Sequence, residues 1–269
     1  MIRVRRAYVD GRFGQLHLRQ RRGERETGRA LVCLHQSPKS GLEFEAFMHA
    51  APLSRRVIAP DYPGYGMSDP PHSEGEATIE TYAQEMWRIA DALELERIDL
   101  FGNHTGGQVA AAMARMRPSS VGVIVMVSAA LLSPEERRHL TNYFAPIALD
   151  RAGTRFRLSW ERTVEHSDPA LPLEALARSF MQNLLGGEKY EWGHAAAFAN
   201  GAEFEAALAA LPHHIFILNP TDQLSQATRR AASLLRNGRV IELPEWRHGF
   251  LDLHARAAAD LVFGLLNVG

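Results

Sequence analysis

Short, fully apolar runs recur along the chain and are separated by amphipathic stretches. The runs Ala30–Leu34, Val57–Ala59 and Val121–Val127 contain no charged position, which is typical of strands covered on both faces in a parallel sheet. Apolar residues recur at helical spacing over Ile79–Leu93, which predicts an amphipathic helix with Thr78 as its N-cap. Alternating strands and helices predict an α/β fold with a doubly wound, mostly parallel sheet.

The N-terminal segment predicts a β-hairpin. Residues Arg5–Val9 and Gln15–Gln20 have strand-like patterns, and Asp-Gly is a common sequence for the turn between two hairpin strands. We therefore expect the two strands to be joined by a turn at Asp10-Gly11.

The alternation of strands and helices breaks after Ser128. From Leu131 to about Leu211 the pattern is helical, and Ser133-Pro134 begins a helix with proline at its first position. The alternation then resumes with a strand at His214–Leu218, a helix at Gln226–Leu235, a strand at Val240–Leu243 and a helix at Asp252–Leu266. The sequence therefore predicts a core of residues 1–130 and 212–269, with an inserted helical cap over residues 131–211.

Composition limits the classes of function. The chain has 269 residues, 46% of them hydrophobic, and a formal net charge of -1, so bulk charge gives no reason to expect nucleic acid or an anionic membrane as a partner. Cys33, which lies in an apolar run, is the one cysteine of the sequence. An intrachain disulfide is therefore excluded. We find neither the apolar segment of a signal peptide nor the ~20 apolar residues that span a bilayer. We therefore expect a cytoplasmic protein, and a homodimer stays open.

Candidate chemistry centres on Ile98–Met113, where a short apolar run passes through a glycine-rich turn into small helix formers. Gly102 and Gly106 lie two residues on either side of His104. This is the spacing of the nucleophile elbow, Gly-x-Ser-x-Gly, a strand–turn–helix that lifts its central side chain into a cleft. The spacing predicts that His104 occupies the position that a serine usually holds.

Four segments, in this order, resemble segments of the α/β-hydrolase superfamily, and the resemblance covers nearly the whole chain. They are similar to the oxyanion-hole loop, the glycine-rich turn of capped members, the elbow and the segment that carries the triad histidine. In this sequence they read His35-Gln36-Ser37-Pro38, Asp61-Tyr62-Pro63-Gly64-Tyr65-Gly66-Met67-Ser68, Gly102-Asn103-His104-Thr105-Gly106-Gly107 and Leu243-Pro244-Glu245-Trp246-Arg247-His248-Gly249-Phe250. The resemblance implies an α/β-hydrolase fold with a helical cap.

The resemblance also implies two partners for His104. It makes His248 the triad histidine and Asp222, which follows a late strand, the acid that orients it. The superfamily uses a second acid position after the sixth strand, and there this chain has Ser128-Ala129-Ala130, without a carboxylate.

An oxyanion hole is implied as well. Its donors are the backbone amides of Ser37 and Thr105, and His35 packs in the same loop. The sequence departs from the family pattern at His104 and at Gln36, which stands where the family has glycine. The Gln36 side chain could donate to an oxyanion or fill the space that glycine leaves, and both interpretations stay open.

Several kinds of chemistry are open to His104. A neutral imidazole needs no base before it attacks an acyl carbon, and water activated by His248 would hydrolyse the acyl-imidazole. Alternatively, His104 and His248 face each other and exchange protons with the substrate. His35, His104, His248 and Asp222 are also ligand types for zinc. Asp222 is expected behind His248, however, and we expect no metal and no other cofactor.

The cap is expected to complete a pocket for a partly apolar small molecule. Trp160 and Trp192 could line this pocket, as could His166 and His194. The leading hypothesis is a cofactor-independent hydrolase of an ester, thioester, lactone or C–C bond with a His-His-Asp triad. A lyase or decarboxylase in the same pocket and a non-catalytic ligand-binding protein are the alternatives.

Overall fold

An eight-stranded sheet forms the centre of the fold in the computed structural model, which describes residues 3–23 and 26–267. Its strands are β1 (Arg5–Gly11), β2 (Gly14–Arg21), β3 (Ala30–Leu34), β4 (Val57–Pro60), β5 (Ile98–Asn103), β6 (Val121–Val127), β7 (His214–Pro220) and β8 (Asn237–Leu243). They lie in the order β1-β2-β4-β3-β5-β6-β7-β8. Strand β2 is antiparallel to both neighbours, and every pairing from β4 to β8 is parallel. The predicted doubly wound, mostly parallel sheet is confirmed.

Helices cover both faces of this sheet. Within the described ranges they are α1 (Glu45–Ala50), α2 (Ile79–Ala92), α3 (Thr105–Met116), α4 (Pro134–Tyr143), α5 (Thr154–His166), α6 (Leu173–Leu185), α7 (Trp192–Ala199), α8 (Gly201–Ala210), α9 (Ser225–Arg229), α10 (Phe250–Leu253) and α11 (Ala255–Leu266). Side chains of the central strands alternate between the faces. Leu100 and Met126 join the cluster that includes α2 and α3, whereas Phe101 and Val125 join the cluster that includes α1 and α11. No helix in these ranges has the length and apolar character needed to cross a bilayer.

The N-terminal hairpin turns two residues later than predicted. Strand β1 continues through Gly11, which pairs with Gly14, so the loop is Arg12-Phe13 rather than Asp10-Gly11. Gly14 has a φ of +133°, a backbone conformation that favours glycine. The Arg12 amide also donates to the Glu85 carboxylate on α2 at 2.8 Å. The sequence of the turn was therefore misread, because Gly14 supplies the unusual conformation.

Helices α4 to α8 lie between β6 and β7, within residues 134–210. Helix α4 begins with a capping box, in which the side chains of Ser133 and Glu136 each accept a hydrogen bond from the other residue's backbone amide. At the other end of the insertion, Phe204 and Leu208 of α8 are buried in the same hydrophobic cluster as α3. The insertion is thus anchored to the core at its C-terminal end.

Two of the late helices differ from their predicted extent. The helix predicted over 226–235 ends at Arg229 and continues as a 3₁₀ turn over Arg230–Ser233. The helix predicted over 252–266 is divided at His254, whose φ of -115° and ψ of 31° leave helical geometry. These irregularities follow local backbone conformations that the hydrophobic pattern does not report.

Candidate active site

The elbow forms as its glycine spacing predicts. Strand β5 ends at Asn103 and α3 begins at Thr105, so His104 makes the turn alone, with a φ of 46° and a ψ of -106°. A Cβ atom on Gly102 would lie 2.3 Å from the Gly106 carbonyl oxygen, and one on Gly106 would lie 1.9 Å from the Leu34 carbonyl oxygen. The strand and helix can therefore approach this closely only because both positions are glycine.

The ring of His104 reaches the carboxylate of Asp222. His104 Nε2 lies 3.2 Å from Asp222 Oδ2, and the Asp222 side chain is only 1% exposed. The same oxygen accepts a hydrogen bond from Ser128 Oγ at 2.6 Å. Burial raises the pKa of Asp222, but hydrogen bonding and charge from His104 and the Ser128 hydroxyl outweigh it and hold that pKa at about 2. At neutral pH a negative charge therefore lies beside the His104 ring.

His248 faces His104 from the opposite side. The two ring centroids are 5.0 Å apart and the ring planes are inclined by 40°. His248 Nε2 lies 3.2 Å from Gln223 Oε1, an acceptor that assigns the ring proton to Nε2. Loss of solvent, and to a smaller extent the charge of His104, lower the pKa of His248 to about 3 against the opposing effect of Asp222. His248 is therefore neutral at neutral pH.

The structure brings the three predicted catalytic side chains together but pairs them differently. Asp222 was expected to orient His248. In the described chain it contacts His104 instead and makes no hydrogen bond to His248, although one polar atom from each of the three residues lies within 4.8 Å of the others. An imidazole extends further from the elbow than a hydroxyl would, so the His104 ring occupies the space between the elbow and the acid.

The two predicted oxyanion donors lie side by side on the cavity wall. Ser37 is buried, and its amide donates weakly, at 3.4 Å, to the Thr105 hydroxyl. As the first residue of α3, Thr105 has an amide without an acceptor inside its own helix. A carbonyl oxygen of a substrate could accept from both amides if it displaced the long contact to the Thr105 hydroxyl.

A carboxylate that the sequence did not single out lies beneath this loop. Glu43 accepts hydrogen bonds from the Gln36 amide at 3.1 Å, from the Gln36 side chain, and from Asn103 Nδ2 at 2.7 Å. Burial raises the pKa of Glu43, whereas these hydrogen bonds and the charge of Lys39 oppose the shift. Gln36 therefore ties the oxyanion loop to Glu43, and Asn103 ties the elbow to the same carboxyl. No sequence motif marked Glu43.

The cavity beside His104 has a volume of about 200 Å³ and lies between the core and the insertion. The insertion contributes both apolar and polar side chains to the wall of this cavity. Among the apolar ones are Leu140, Phe144, Ile147 and Phe198, and among the polar ones are Arg155, Arg162, His166, Glu191 and His194. The prediction that Trp160 and Trp192 line the pocket is wrong. Trp160 packs on Phe180 with ring centroids 5.5 Å apart, and Trp192 packs against the hydrophobic core.

His35 was predicted among the substrate-binding residues, but the structure gives it a structural role. Its side chain is fully buried, its Nδ1 donates to the Gln36 carbonyl at 2.8 Å, and its Nε2 accepts from the Tyr62 amide at 3.0 Å. Both ring nitrogens are thus engaged by backbone. His35 stabilises the loop that carries Ser37 and has no free nitrogen for a substrate.

Among the described residues, His104, Asp222 and His248 form a cluster whose donor types suit a divalent metal. Asp222 Oδ2 already accepts a hydrogen bond from the Ser128 hydroxyl and contacts Nε2 of His104. The carboxylate oxygen that faces the cluster is therefore already occupied by two protein groups.

Comparison with known sequences gives partial matches. A family model described as alpha/beta hydrolase fold matches residues 29–192. The 2-hydroxy-6-oxo-2,4-heptadienoate hydrolase of Pseudomonas putida is 41% identical over 81 residues, which are 30% of this chain and 29% of that protein. Proline iminopeptidase of Heyndrickxia coagulans is 26% identical over 177 residues, which are 66% of this chain and 61% of that protein. The chain thus matches less than two thirds of the length of these curated relatives.

Comparison with solved structures covers nearly the whole chain. Epoxide hydrolase A from Mycobacterium thermoresistibile has a TM-score of 0.80 and 17% identity, with 98% of each chain covered. A hydrolase from Pseudomonas aeruginosa has a TM-score of 0.76 and 19% identity, with 97% of this chain and 98% of that chain covered. At these identities the likeness concerns the fold alone, and it confirms the fold expected from the sequence.

Proposed function

The chain belongs to the α/β hydrolase fold family, and from that premise we propose that it is a cofactor-independent hydrolase in which His104 is the base that activates water. The bond that it cleaves is an ester, thioester or lactone bond, or a C–C bond next to a carbonyl group. Curated relatives that carry the names of a dienoate hydrolase and an iminopeptidase support hydrolysis as the reaction class. The cavity of about 200 Å³ supports a small substrate.

The contact between His104 and Asp222 carries this proposal. Since Nε2 of His104 faces the carboxylate at 3.2 Å, Nδ1 is the nitrogen that remains for chemistry. Nδ1 is bonded to Cγ and therefore lies close to the elbow backbone, where water fits more easily than an acyl carbon with its substituents. The arrangement favours His104 as a general base over His104 as a nucleophile.

The proposed hydrolysis needs only water and side chains or amides of this chain. His104 Nδ1 takes a proton from water while the water oxygen bonds to the carbonyl carbon, and the carbonyl electron pair moves to its oxygen. The amides of Ser37 and Thr105 stabilise this oxyanion, and Asp222 stabilises the imidazolium. The carbonyl then re-forms, the bond to the leaving group breaks, and the proton on His104 passes to the leaving group. We expect this proton to pass the neutral ring of His248, whose centroid lies 5.0 Å from that of His104.

Hydrolysis of p-nitrophenyl acetate and of 2-hydroxy-6-oxo-2,4-heptadienoate tests the reaction class and the roles together. We expect kcat/KM to fall by about 100-fold or more in His104→Ala, Asp222→Asn and His248→Ala, the range typical of lost acid–base catalysis. His139→Ala is the matched control, because His139 is exposed on α4 and does not line the cavity. Equal rates in all four variants and the wild type would overturn the proposal, and binding without turnover would support a ligand-binding protein instead.

The choice between base and nucleophile has its own readout. A slowly hydrolysed aryl ester is mixed with the enzyme, the reaction is stopped with acid within one turnover, and the protein is analysed by mass spectrometry. We expect the mass of the unmodified chain throughout the turnover. An acyl group found on His104, and missing from His104→Ala, would show that His104 attacks the substrate directly.

A further inference from the structure

The catalytic cluster leaves open what positions His248. Its expected partner, Asp222, is engaged by His104. The one side-chain hydrogen bond that His248 makes within the described ranges is the contact of Nε2 with Gln223, an exposed residue. A single hydrogen bond at an exposed edge holds a ring poorly, since both partners compete with water. Other groups must therefore hold His248 over the cavity.

The insertion supplies backbone contacts to His248. The carbonyl oxygen of His248 accepts a hydrogen bond from the Asp168 amide at 2.9 Å, and Ser167 and His248 form an isolated parallel bridge. The segment after α5 therefore behaves as a short strand laid against the loop that carries His248. These backbone contacts fix the main chain of His248 relative to the insertion, but they do not fix the orientation of its ring.

A third imidazole lies near that ring. His166, the last residue of α5, has its ring centroid 6.3 Å from that of His248, with the planes inclined by 55°. His166 lines the cavity, and its Nε2 lies 2.8 Å from the hydroxyl oxygen of Tyr143 on α4. Burial raises the pKa of Tyr143, so the phenol stays protonated and can donate a hydrogen bond to His166 Nε2. Tyr143 thus contacts the His166 ring in the way that Asp222 contacts the His104 ring.

We propose that His166, held by Tyr143, is the positioning residue of His248 and takes the place of the acid that orients the triad histidine elsewhere in this fold. His248 then lies between two oriented rings, His104 from the core and His166 from the insertion, at 5.0 and 6.3 Å. The kinetic part of this inference rests on the proposed function, whereas the structural part does not.

Other titratable groups also influence the rings of His248 and Tyr143. Asp222, His104 and Lys39 shift the pKa of His248, and Arg162 and Glu165 shift the pKa of Tyr143. None of these influences passes through the His166 ring. A change at His166 therefore leaves these groups in place, which makes it possible to isolate the effect of the one ring.

The test uses the full chain with two variants and a control. His166→Gln removes the imidazole but keeps a polar side chain of similar length, and Tyr143→Phe removes only the hydroxyl. His139→Gln changes an exposed histidine on the same insertion. Nitrogen-15 NMR of the imidazole groups follows the His248 ring as a function of pH, and steady-state kinetics follows kcat and KM separately.

We expect the His248 resonances to move and the pKa of His248 to rise in His166→Gln, because a neighbouring ring that opposes its protonation is gone. Tyr143→Phe, which keeps the His166 ring but removes its hydrogen bond, should move the resonances by less, and His139→Gln should not move them. We expect kcat to fall by about tenfold or more in His166→Gln with KM little changed, since misplacing a catalytic group by about 1 Å can cost on the order of 100-fold.

Unchanged His248 resonances in a folded His166→Gln would overturn the inference whatever the activity. If that variant does not fold, unchanged resonances in Tyr143→Phe would do the same. Lack of turnover by the wild type would contradict the proposed function alone, because the NMR titration needs no substrate. Movement of the resonances with an unaltered kcat would refute the positioning role and leave only a contact between two rings.

Discussion

His104 and His35 show how differently two imidazoles are used in this chain. His104 lies at the cavity with one nitrogen against a carboxylate. His35 is 0% exposed, and it donates through Nδ1 and accepts through Nε2, a pattern that only the neutral ring can satisfy. Burial lowers the pKa of His35 to about 4, although Asp61 and the Gln36 carbonyl oppose the shift. Protonation of His35 must therefore destabilise the fold.

The free energy of unfolding is expected to decrease as pH falls from about 6.5 to about 4. Because the pKa of His35 is about 4 in the folded chain, against an ordinary value of 6.5, the unfolded chain binds the proton first. His35 then costs about 1 kcal/mol per pH unit and about 3 kcal/mol over the whole interval. Well above pH 6.5 neither state is protonated, and His35 contributes no pH dependence.

Urea unfolding at about pH 7 and about pH 5 of the wild type and of His35→Gln measures this contribution. Glutamine does not titrate, so the pH dependence of its unfolding free energy should be weaker by about 1 kcal/mol per pH unit. His248 also has a lowered pKa, but it is present in both proteins and cancels in the comparison. Equal slopes would contradict the role given to His35.

At the same scale, the sequence predicted which residues meet but not how they pair. The glycine spacing around His104, together with the resemblance to the α/β-hydrolase superfamily that implied Asp222 and His248, was sufficient to place all three residues at one site. The partner of Asp222 depends on the reach of the His104 ring, which a linear pattern does not contain. Glu43, which lies in the short 3₁₀ helix Gly41–Phe44, escaped notice because a single acid has no distinctive spacing.

At the scale of elements, the elbow depends on the absence of side chains at two positions. The strand β5 and the helix α3 approach each other at Gly102 and Gly106, and a Cβ at Gly106 would overlap the backbone of β3 at Leu34. A backbone carbonyl cannot move aside as a flexible side chain can. The conformation of His104 is thus held by the packing of three elements and not by its own preference.

Gly106→Ala is expected to lower the free energy of unfolding by about 2 kcal/mol or more, since the added methyl group must displace backbone. The rate of hydrolysis should fall as well, because His104 moves with the start of α3. Gly264→Ala in α11 is the matched control, because its added Cβ has no neighbour within 4 Å apart from the adjacent residues and the backbone of its own helix. That variant should be more stable by about 0.5–1 kcal/mol, the usual gain of alanine over glycine in a helix. Urea unfolding of both variants gives the comparison.

Elements were predictable where burial dominates and less so where local geometry decides. Strands β3, β4 and β6 were found from their continuous apolar runs, since a strand covered on both faces admits few polar residues. The hairpin turn was misplaced because Gly14, and not Gly11, adopts the positive φ. The break at His254 and the 3₁₀ turn after Arg229 leave the apolar spacing intact and are therefore invisible to it.

At the scale of the whole molecule, the loop after β3 joins the core to the insertion through helix α6. Ser40 donates to Gln182 Oε1 from its amide at 3.2 Å and from its hydroxyl at 2.9 Å, and both residues are buried. Lys39 Nζ donates to the Ser179 carbonyl at 2.8 Å. The loop that carries the Ser37 amide is thus the loop that holds α6, so the oxyanion hole and the insertion are mechanically linked.

Gln182→Ala tests this link against an exposed contact on the same helix. It leaves the buried Ser40 amide without its acceptor, which costs about 1–3 kcal/mol, and we expect hydrogen exchange in α6 to accelerate by about tenfold or more. Arg178→Ala removes the surface ion pair with Asp252, which is worth about 0–1 kcal/mol, and it should change exchange little. If both variants accelerate α6 equally, or neither does, the buried contact is not what holds the insertion. Faster exchange in Gln182→Ala that extends to the loop around Ser37 would show that loosening the insertion also loosens the oxyanion hole.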